Sequence, residues 1–137
     1  MKAGLNLYSL RTFIKTEEEF LYTAKKIKAM GYDYAQFCAQ LNEEWANIIA
    51  RVVAQADLPI FLTHCPWERV IEDTEKLMEE HAKFHCKNIG IGGLPNPLVI
   101  DEKMCKKIYD KLNLAAEKMS KNGYKFFYHS LTRIEPQ

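Results

Sequence analysis

The stretch GLNLYSLRTFIKTEEEFLYTAKKIKAMGYDYAQFC, residues 4–38, decides the fold that the sequence predicts. Its first apolar segment, residues 5–10, is short and ends at a charged residue, which is typical of a β-strand. Thr16 then precedes three glutamates and an amphipathic segment that stops at Gly31, a pattern that predicts a capped helix. The mainly apolar residues 34–38 predict a second strand. The stretch therefore forms one strand–helix unit and begins the next.

The same alternation of strand and helix continues along the rest of the chain. Three further strands are predicted, over residues 59–64, 88–92 and 125–129. Three further helices are predicted, the first after the cap Asn42, the second from Trp67 to Phe84, and the third after the cap Asp101. Strands that alternate with long helices imply parallel strands joined by right-handed crossovers. The chain therefore contains about four and a half β–α units.

Two α/β architectures fit this repeat. An open, doubly wound sheet often carries a glycine-rich first turn that leads into a helix. Residues 8–12 contain no glycine, and the glycines within 90–93 run into Leu94-Pro95 and indicate a loop that needs positive φ. The other architecture is a TIM barrel, which needs eight units and about 250 residues. With 137 residues, the chain is predicted to be a TIM half-barrel, which oligomerisation would complete.

Composition and charge exclude several classes of function. The chain has 19 basic and 18 acidic residues, and a net charge of +1 gives no support for a nucleic-acid binder. No apolar run approaches the roughly 18 residues of a membrane span, and the N-terminus lacks the apolar core of a signal peptide. The four cysteines form no CxxC pair, which is typical of reduced thiols in the cytoplasm. We therefore predict a cytoplasmic protein that binds neither nucleic acid nor membrane.

Polar side chains follow several predicted strands, at the strand ends where TIM barrels place their chemistry. They are Asn6, Tyr8, Ser9, Arg11, Gln36, Cys38, His64, Cys65, Tyr128 and His129. No carboxylate is among them, although hard divalent metals and general acid–base catalysis commonly use carboxylates. Each residue type also has a structural interpretation, such as a hydrogen-bonded core histidine or a packed tyrosine. The residues alone leave both interpretations open.

Two histidines are predicted on the helix that begins at Trp67. His81 and His85 are four residues apart, which puts them on one helix face, and Cys86 follows directly. Zinc takes nitrogen and sulfur ligands, so the pattern admits a zinc site. The sequence offers no fourth ligand nearby, which favours a structural role.

Several segments resemble the sugar phosphate isomerases/epimerases, the xylose isomerase-like TIM barrels. Members often have Gly-x-Gln-Leu-Tyr-Ser-x-Arg where this chain has residues 4–11, GLNLYSLR. Three later stretches resemble the family in the same order: THCP at residues 63–66, CKNIGIG at residues 86–92, and residues 116–129, which end in Tyr-His. The resemblance covers residues 4 to 130, so residues 1–137 are assigned as the N-terminal part of such a barrel.

The resemblance implies proton transfer beside a sugar carbonyl, with a small sugar or sugar phosphate as the substrate. It also implies a divalent metal, manganese or magnesium, which Glu, Asp, His and Glu side chains hold in the complete barrel. We expect this chain alone to bind no metal. The resemblance implies that Tyr8, Arg11, His64 and His129 bind the substrate, and it leaves the catalytic residues unassigned.

The sequence also departs from the family pattern. It has Gln36 where many members have a glutamate, His85 where members often have glycine, and no second histidine after His129. Three hypotheses follow. The first is an isomerase/epimerase represented by its N-terminal half. The second is a truncated, catalytically inactive half-barrel that forms a homo-oligomer through its open sheet edges. The third is an abasic-DNA nuclease, which the net charge of +1 disfavours.

Overall fold

A computed structural model of the chain describes residues 1–39, 41–94 and 101–129. Five strands form one parallel sheet: β1 (Gly4–Asn6), β2 (Tyr34–Phe37), β3 (Ile60–Cys65), β4 (Asn88–Ile91) and β5 (Lys125–Tyr128). A 3-10 helix (Leu7–Phe13) follows β1. The α-helices are α1 (Glu17–Ala29), α2 (Glu43–Ala56), α3 (Trp67–Glu72), α4 (Thr74–Ala82) and α5 (Glu102–Lys121). None of these helices is long and apolar enough to cross a membrane.

The order of the strands distinguishes between the two predicted architectures. Neighbours in the sheet are neighbours in the chain, in the order β1-β2-β3-β4-β5, and every pair is parallel. A doubly wound sheet reverses its strand order, whereas a TIM barrel winds in one direction throughout. Right-handed crossovers that all advance the same way put their helices on one face of the sheet. The predicted half-barrel is confirmed.

A core of large apolar side chains lies between the sheet and its helices. The Phe37 ring centroid lies 5.9 Å from that of Phe20 on α1 and 6.1 Å from that of Trp45 on α2. Ala35 and Phe37 are fully buried. Because side chains alternate across a strand, Gln36 between them points to the opposite face of the sheet. The core therefore holds β2 so that its polar side chain faces away from the helices.

The first strand is shorter than the sequence predicts, which changes the position of two candidate residues. The Asn6 side chain accepts a hydrogen bond from the Tyr8 backbone N–H at 2.9 Å, and the chain turns there into the 3-10 helix. Asparagine side chains compete with sheet pairing for nearby backbone groups in this way. Tyr8 and Arg11 therefore lie on the 3-10 helix beyond the strand and not on the strand itself.

The predicted helix over residues 67–84 is also wrong, because it is interrupted at Asp73. The Thr74 hydroxyl donates a 2.7 Å hydrogen bond to the Val70 carbonyl, and this type of contact bends helices. The predicted caps of the remaining helices are confirmed. The side chains of Thr16, Asn42 and Asp101 each accept a hydrogen bond from a backbone N–H in the first turn of α1, α2 and α5, respectively.

Replacing His85 with glycine should stabilise the fold. His85 has a φ of 58°, a left-handed conformation that costs a residue with a Cβ about 1–2 kcal/mol. The side chain is exposed, so its removal should cost little packing. Glycine loses more backbone entropy on folding, so we expect a net gain of about 0.5–1 kcal/mol. Urea denaturation measures this gain, and a less stable variant would contradict the expected strain at this position.

Candidate functional site

A cavity of about 540 Å³ lies at the carboxyl-terminal ends of the strands. Its lining residues are Asn6, Tyr8, Cys38, Ala39, His64, Cys65, Pro66, Gly92 and His129. Each residue lies at the end of one of the five strands or just beyond it. TIM barrels bind their ligands at this edge, where the strand ends and the following loops meet.

The His64 side chain, near the end of β3, lies close to Gln36 of β2 and to His129, which follows β5. Its Nε2 atom is 2.8 Å from the Nε2 atom of Gln36 on β2, and its ring centroid is 5.5 Å from that of His129. The backbone N–H of His129 donates to the Ile91 carbonyl at 3.1 Å, which fixes the backbone of His129 beside β4. The two imidazoles, one from β3 and one from the end of β5, therefore meet across β4, which lies between those two strands.

An irregular register brings Gln36 and His64 to one face. Ala35 pairs with Ile60, but Gln36 pairs with Leu62, so β3 contains one extra residue at this point. Because side chains alternate along a strand, a shift of one residue exchanges the faces. His64 lies two residues beyond Leu62 and thus shares its face with Gln36.

Two glycines on β4 and just after it make room for the His64 ring. A Cβ atom on Gly92 would lie 3.3 Å from Nδ1 of His64, and one on Gly90 would lie 3.4 Å from its Cδ2. Neither glycine has a positive φ, so the expected positive-φ loop is wrong here. The imidazole approaches the backbone of Gly92 most closely, whereas a Cβ atom on Gly90 would first meet the carbonyl oxygens of Thr63, at 3.0 Å, and Phe127, at 3.2 Å.

His64 is held in a neutral form near pH 7. Burial lowers the pKa of its imidazole, and the neighbouring His129 lowers that pKa further by charge repulsion. A histidine with a lowered pKa loses its proton before neutral pH is reached. His64 therefore offers the cavity one N–H donor and one nitrogen acceptor, without a positive charge.

Tyr8 and Arg11 form a stacked pair at the cavity mouth. The Arg11 guanidinium carbon lies 4.4 Å from the centroid of the Tyr8 ring, and Nη1 of Arg11 donates to the Tyr8 carbonyl at 2.9 Å. Tyr8 lines the cavity, whereas Arg11 lies against Tyr8 and does not line the cavity itself. Arg11 can therefore act on a bound ligand through its charge and through the orientation of Tyr8.

Asn6 and Cys38 connect the first two strands in the cavity wall. The Cys38 thiol donates to Oδ1 of Asn6 at 3.2 Å, and the same oxygen accepts the Tyr8 backbone N–H. Burial raises the pKa of the Cys38 thiol. The thiolate is the nucleophilic form of cysteine, so this environment favours a structural Cys38 over a reactive one.

Comparisons with known proteins show which fold this is. No protein-family model matches the chain, and no curated protein matches it significantly. An AP endonuclease, family 2, from Brucella melitensis superposes with a TM-score of 0.71 at 17% identity, over 96% of this chain and 56% of that chain. The chain has the fold of half a TIM barrel.

Two further structures show the same half-barrel. A xylose isomerase-like TIM barrel protein from Mycobacterium smegmatis, in complex with magnesium, gives a TM-score of 0.68 at 10% identity over 93% of this chain. A sugar phosphate isomerase/epimerase from Parabacteroides distasonis gives 0.69 at 20% identity, also over 93% of this chain. The half-barrel spans 54% of each of these two chains, so it covers about half the length of its structural neighbours.

The donor set of the half-barrel does not suit a hard divalent metal. Magnesium and manganese prefer several oxygen ligands, commonly carboxylates, and none of the described residues that line the cavity is a carboxylate. In residues 1–39, 41–94 and 101–129, no three His, Cys, Asp or Glu side chains are grouped so that they could hold a metal ion. No chemical step is therefore assigned to a metal in this half.

The zinc site admitted by the sequence at His81 and His85 does not form. His81 is fully buried, with Nε2 2.6 Å from the Thr63 hydroxyl and Nδ1 donating to the Leu77 carbonyl at 2.6 Å. His85 is exposed on the chain after α4. Both ring nitrogens of His81 are engaged, Nε2 in a hydrogen bond that joins α4 to β3 and Nδ1 in a hydrogen bond within α4, which supports a structural role.

Three of the four predicted substrate-binding residues meet in the half-barrel cavity. Tyr8, His64 and His129 line it, and Arg11 packs against Tyr8 outside the lining. Their part in binding stays a prediction. The hydrogen bond from Gln36 and the close approach of Gly92 were missed, because both depend on the register of neighbouring strands. The tail after His129, where the sequence departs from the family pattern, lies outside the described residues.

Proposed function

We propose that the chain binds a small sugar or sugar phosphate in this cavity, as the N-terminal, substrate-binding half of a sugar phosphate isomerase/epimerase-type barrel. The observation that carries this proposal is the convergence of His64, His129, Tyr8 and Asn6 at the carboxyl-terminal edge of a singly wound parallel sheet. The volume of about 540 Å³ is within the range of small-molecule sites.

The polar groups of the cavity match the surface of a sugar. Imidazole, amide and phenol groups donate to and accept from hydroxyl oxygens, and the Tyr8 ring offers an apolar face to the C–H groups. The Arg11 guanidinium behind Tyr8 contributes positive charge, and the lining residues that the structure describes include no carboxylate that would repel an anion. We therefore expect a phosphorylated sugar to bind more tightly than its unphosphorylated form.

Catalysis belongs to the complete barrel in this proposal. Proton transfer beside a sugar carbonyl needs a base, and a divalent metal supplies Lewis acidity to the carbonyl oxygen when it is bound. Gln36 is an amide and cannot act as a base. The described residues thus bind and orient the sugar through hydrogen bonds, and we assign none of them a catalytic role.

The alternative proposal is a catalytically inactive half-barrel that self-associates. In the described part of the chain, β1 and β5 each pair with a neighbour on one side only. Unpaired edges of this kind are templates for pairing with another chain. Sedimentation of the purified chain at micromolar concentration should then reveal a dimer, and a clean monomer would count against this alternative.

The cellular context is also a proposal. All four cysteines are free thiols, which supports the reducing cytoplasm. The net charge of +1 supports a small-molecule ligand over a nucleic acid, although one structural neighbour is an AP endonuclease of Brucella melitensis.

Replacing His64 with alanine should weaken the binding of sugar phosphates about tenfold, because one ligand hydrogen bond of about 1.5 kcal/mol is lost. Isothermal titration calorimetry with a panel of aldose and ketose phosphates measures this effect. His85→Gly is the matched control, since it removes a histidine outside the cavity lining. Equal affinity in the His64 variant and the wild type, or no binding of any sugar phosphate, would refute the proposal.

A further inference from the structure

The two ring nitrogens of His64 lie in different surroundings. Nε2 faces the side-chain amide of Gln36 at 2.8 Å, while Nδ1 lies on the side of Gly92, in the cavity wall. Because glycine has no side chain, Gly92 does not cover Nδ1 from this side, where a Cβ atom would lie 3.3 Å away. The two nitrogens can therefore serve two functions, one toward the protein and one toward a ligand.

The contact between Gln36 and His64 determines where the imidazole proton lies. An amide nitrogen donates hydrogen bonds and does not accept them, so Nε2 of His64 must accept and must be unprotonated. In a neutral imidazole the remaining proton is then on Nδ1. The flanking Ala35 and Phe37 are fully buried and hold the backbone of Gln36 in place.

The other groups around His64 do not favour the charged ring. His129 lies at 5.5 Å between ring centroids, and Cys38 and Tyr8 line the same cavity. None of these groups is a carboxylate that would stabilise an imidazolium. A glutamate at position 36 would do so, because an opposite charge within hydrogen-bond distance favours the protonated ring.

We propose that Gln36 is a positioning residue that holds His64 as the neutral Nδ1–H tautomer, with the Nδ1–H directed beside Gly92 toward an oxygen of the bound ligand. The ligand half of this inference rests on the proposed sugar site, whereas the tautomer half stands on the protein alone. A sugar hydroxyl, a carbonyl or a phosphate oxygen is the type of group that this donor selects.

Long-range proton–nitrogen NMR of the full chain tests the tautomer, because protonated and unprotonated imidazole nitrogens give separate signals. In mildly alkaline buffer we expect Nδ1 of His64 to be protonated and Nε2 to be bare. His81 is an internal reference, since its Nδ1 faces the Leu77 carbonyl and must carry a proton there. Protonated Nε2 of His64 in the wild type would overturn the inference.

Variants at position 36 test whether Gln36 determines the tautomer of His64. In Gln36→Glu the carboxylate accepts a hydrogen bond from Nε2–H, so the protonation pattern should reverse and the pKa of His64 should rise by about 1–3 units. In Gln36→Leu the donor is lost, and the ring should populate both tautomers. Gln55→Glu, at an exposed position of α2, is the control and should leave the His64 signals unchanged. A Gln36→Leu spectrum identical to the wild type would also overturn the inference.

A variant at Gly92 tests the proposed ligand contact independently of the tautomer of His64. Gly92→Ala puts a methyl group 3.3 Å from Nδ1, so it should weaken sugar phosphate binding severalfold and leave the tautomer intact. Unchanged affinity in this variant would refute the ligand half. If the wild type has the expected tautomer but binds no sugar phosphate, the positioning role of Gln36 stands and the proposed function fails.

Discussion

Replacing Arg69 with methionine should lower the free energy of unfolding by about 3–5 kcal/mol, because a buried carboxylate loses its partner. Nη1 and Nη2 of Arg69 donate to the two oxygens of Glu80 at 2.9 and 3.2 Å. Nη1 also donates to the Leu41 carbonyl at 2.5 Å, and Glu80 is only 2% exposed. Arg69 thereby connects α3, α4 and the loop after β2, which lies next to the cavity.

Arg51→Met is the matched control for this prediction. Arg51 makes a similar bidentate pair with Glu17, at 2.7 and 2.6 Å, but both side chains are at least one-third exposed. Exposed pairs contribute little, so we expect a loss below about 1 kcal/mol. Urea denaturation of both variants compares them directly. Equal losses would show that burial of Glu80 does not determine the cost.

Acid should destabilise the fold through His81, by about 3 kcal/mol between neutral pH and pH 4. Burial lowers the pKa of this imidazole from 6.5 to about 4. Below pH 6.5 the unfolded chain takes up a proton that the folded chain excludes until the pH falls to about 4. The contribution of His81 to stability is therefore complete above pH 6.5 and is lost as the pH falls.

Urea denaturation as a function of pH measures this contribution. In His81→Gln the amide keeps a donor and an acceptor but does not titrate, so the difference between its profile and that of the wild type isolates His81. His85→Gly, which removes an exposed histidine close to α4 in the chain, is the control variant. If the wild type retains its stability down to pH 4, the burial of a neutral His81 is wrong.

The sequence predicts those parts of the fold that depend on local interactions. Thr16, Asn42 and Asp101 precede periodic apolar segments, and each caps the predicted helix. Asn6 and Thr74 carry the same chemistry but act differently, because Asn6 ends a strand and Thr74 hydrogen-bonds back to the previous turn. The choice between such uses depends on tertiary packing, which a linear pattern does not contain.

The sequence also predicts only part of the candidate site. The positions of Tyr8, His64 and His129 at one edge follow from the alternation of strands and helices, because all parallel strands end on the same side. The contact between Gln36 and His64 depends on the extra residue in β3, and nothing in the sequence marks it. Predicting a contact between side chains of neighbouring strands therefore requires the register of those strands. Predicting the location of the site does not.

The cavity of the half-barrel is tested most directly by an NMR titration of the isotope-labelled chain with sugar phosphates. We expect saturable shifts of Asn6, Cys38, Gly92 and the His64 ring, which all line the cavity. Residues of the separate apolar groove beside α1, such as Tyr22 and Met30, should remain unchanged. Shifts confined to that groove, or no saturable shifts at all, would contradict a ligand site at the carboxyl-terminal edge of the sheet.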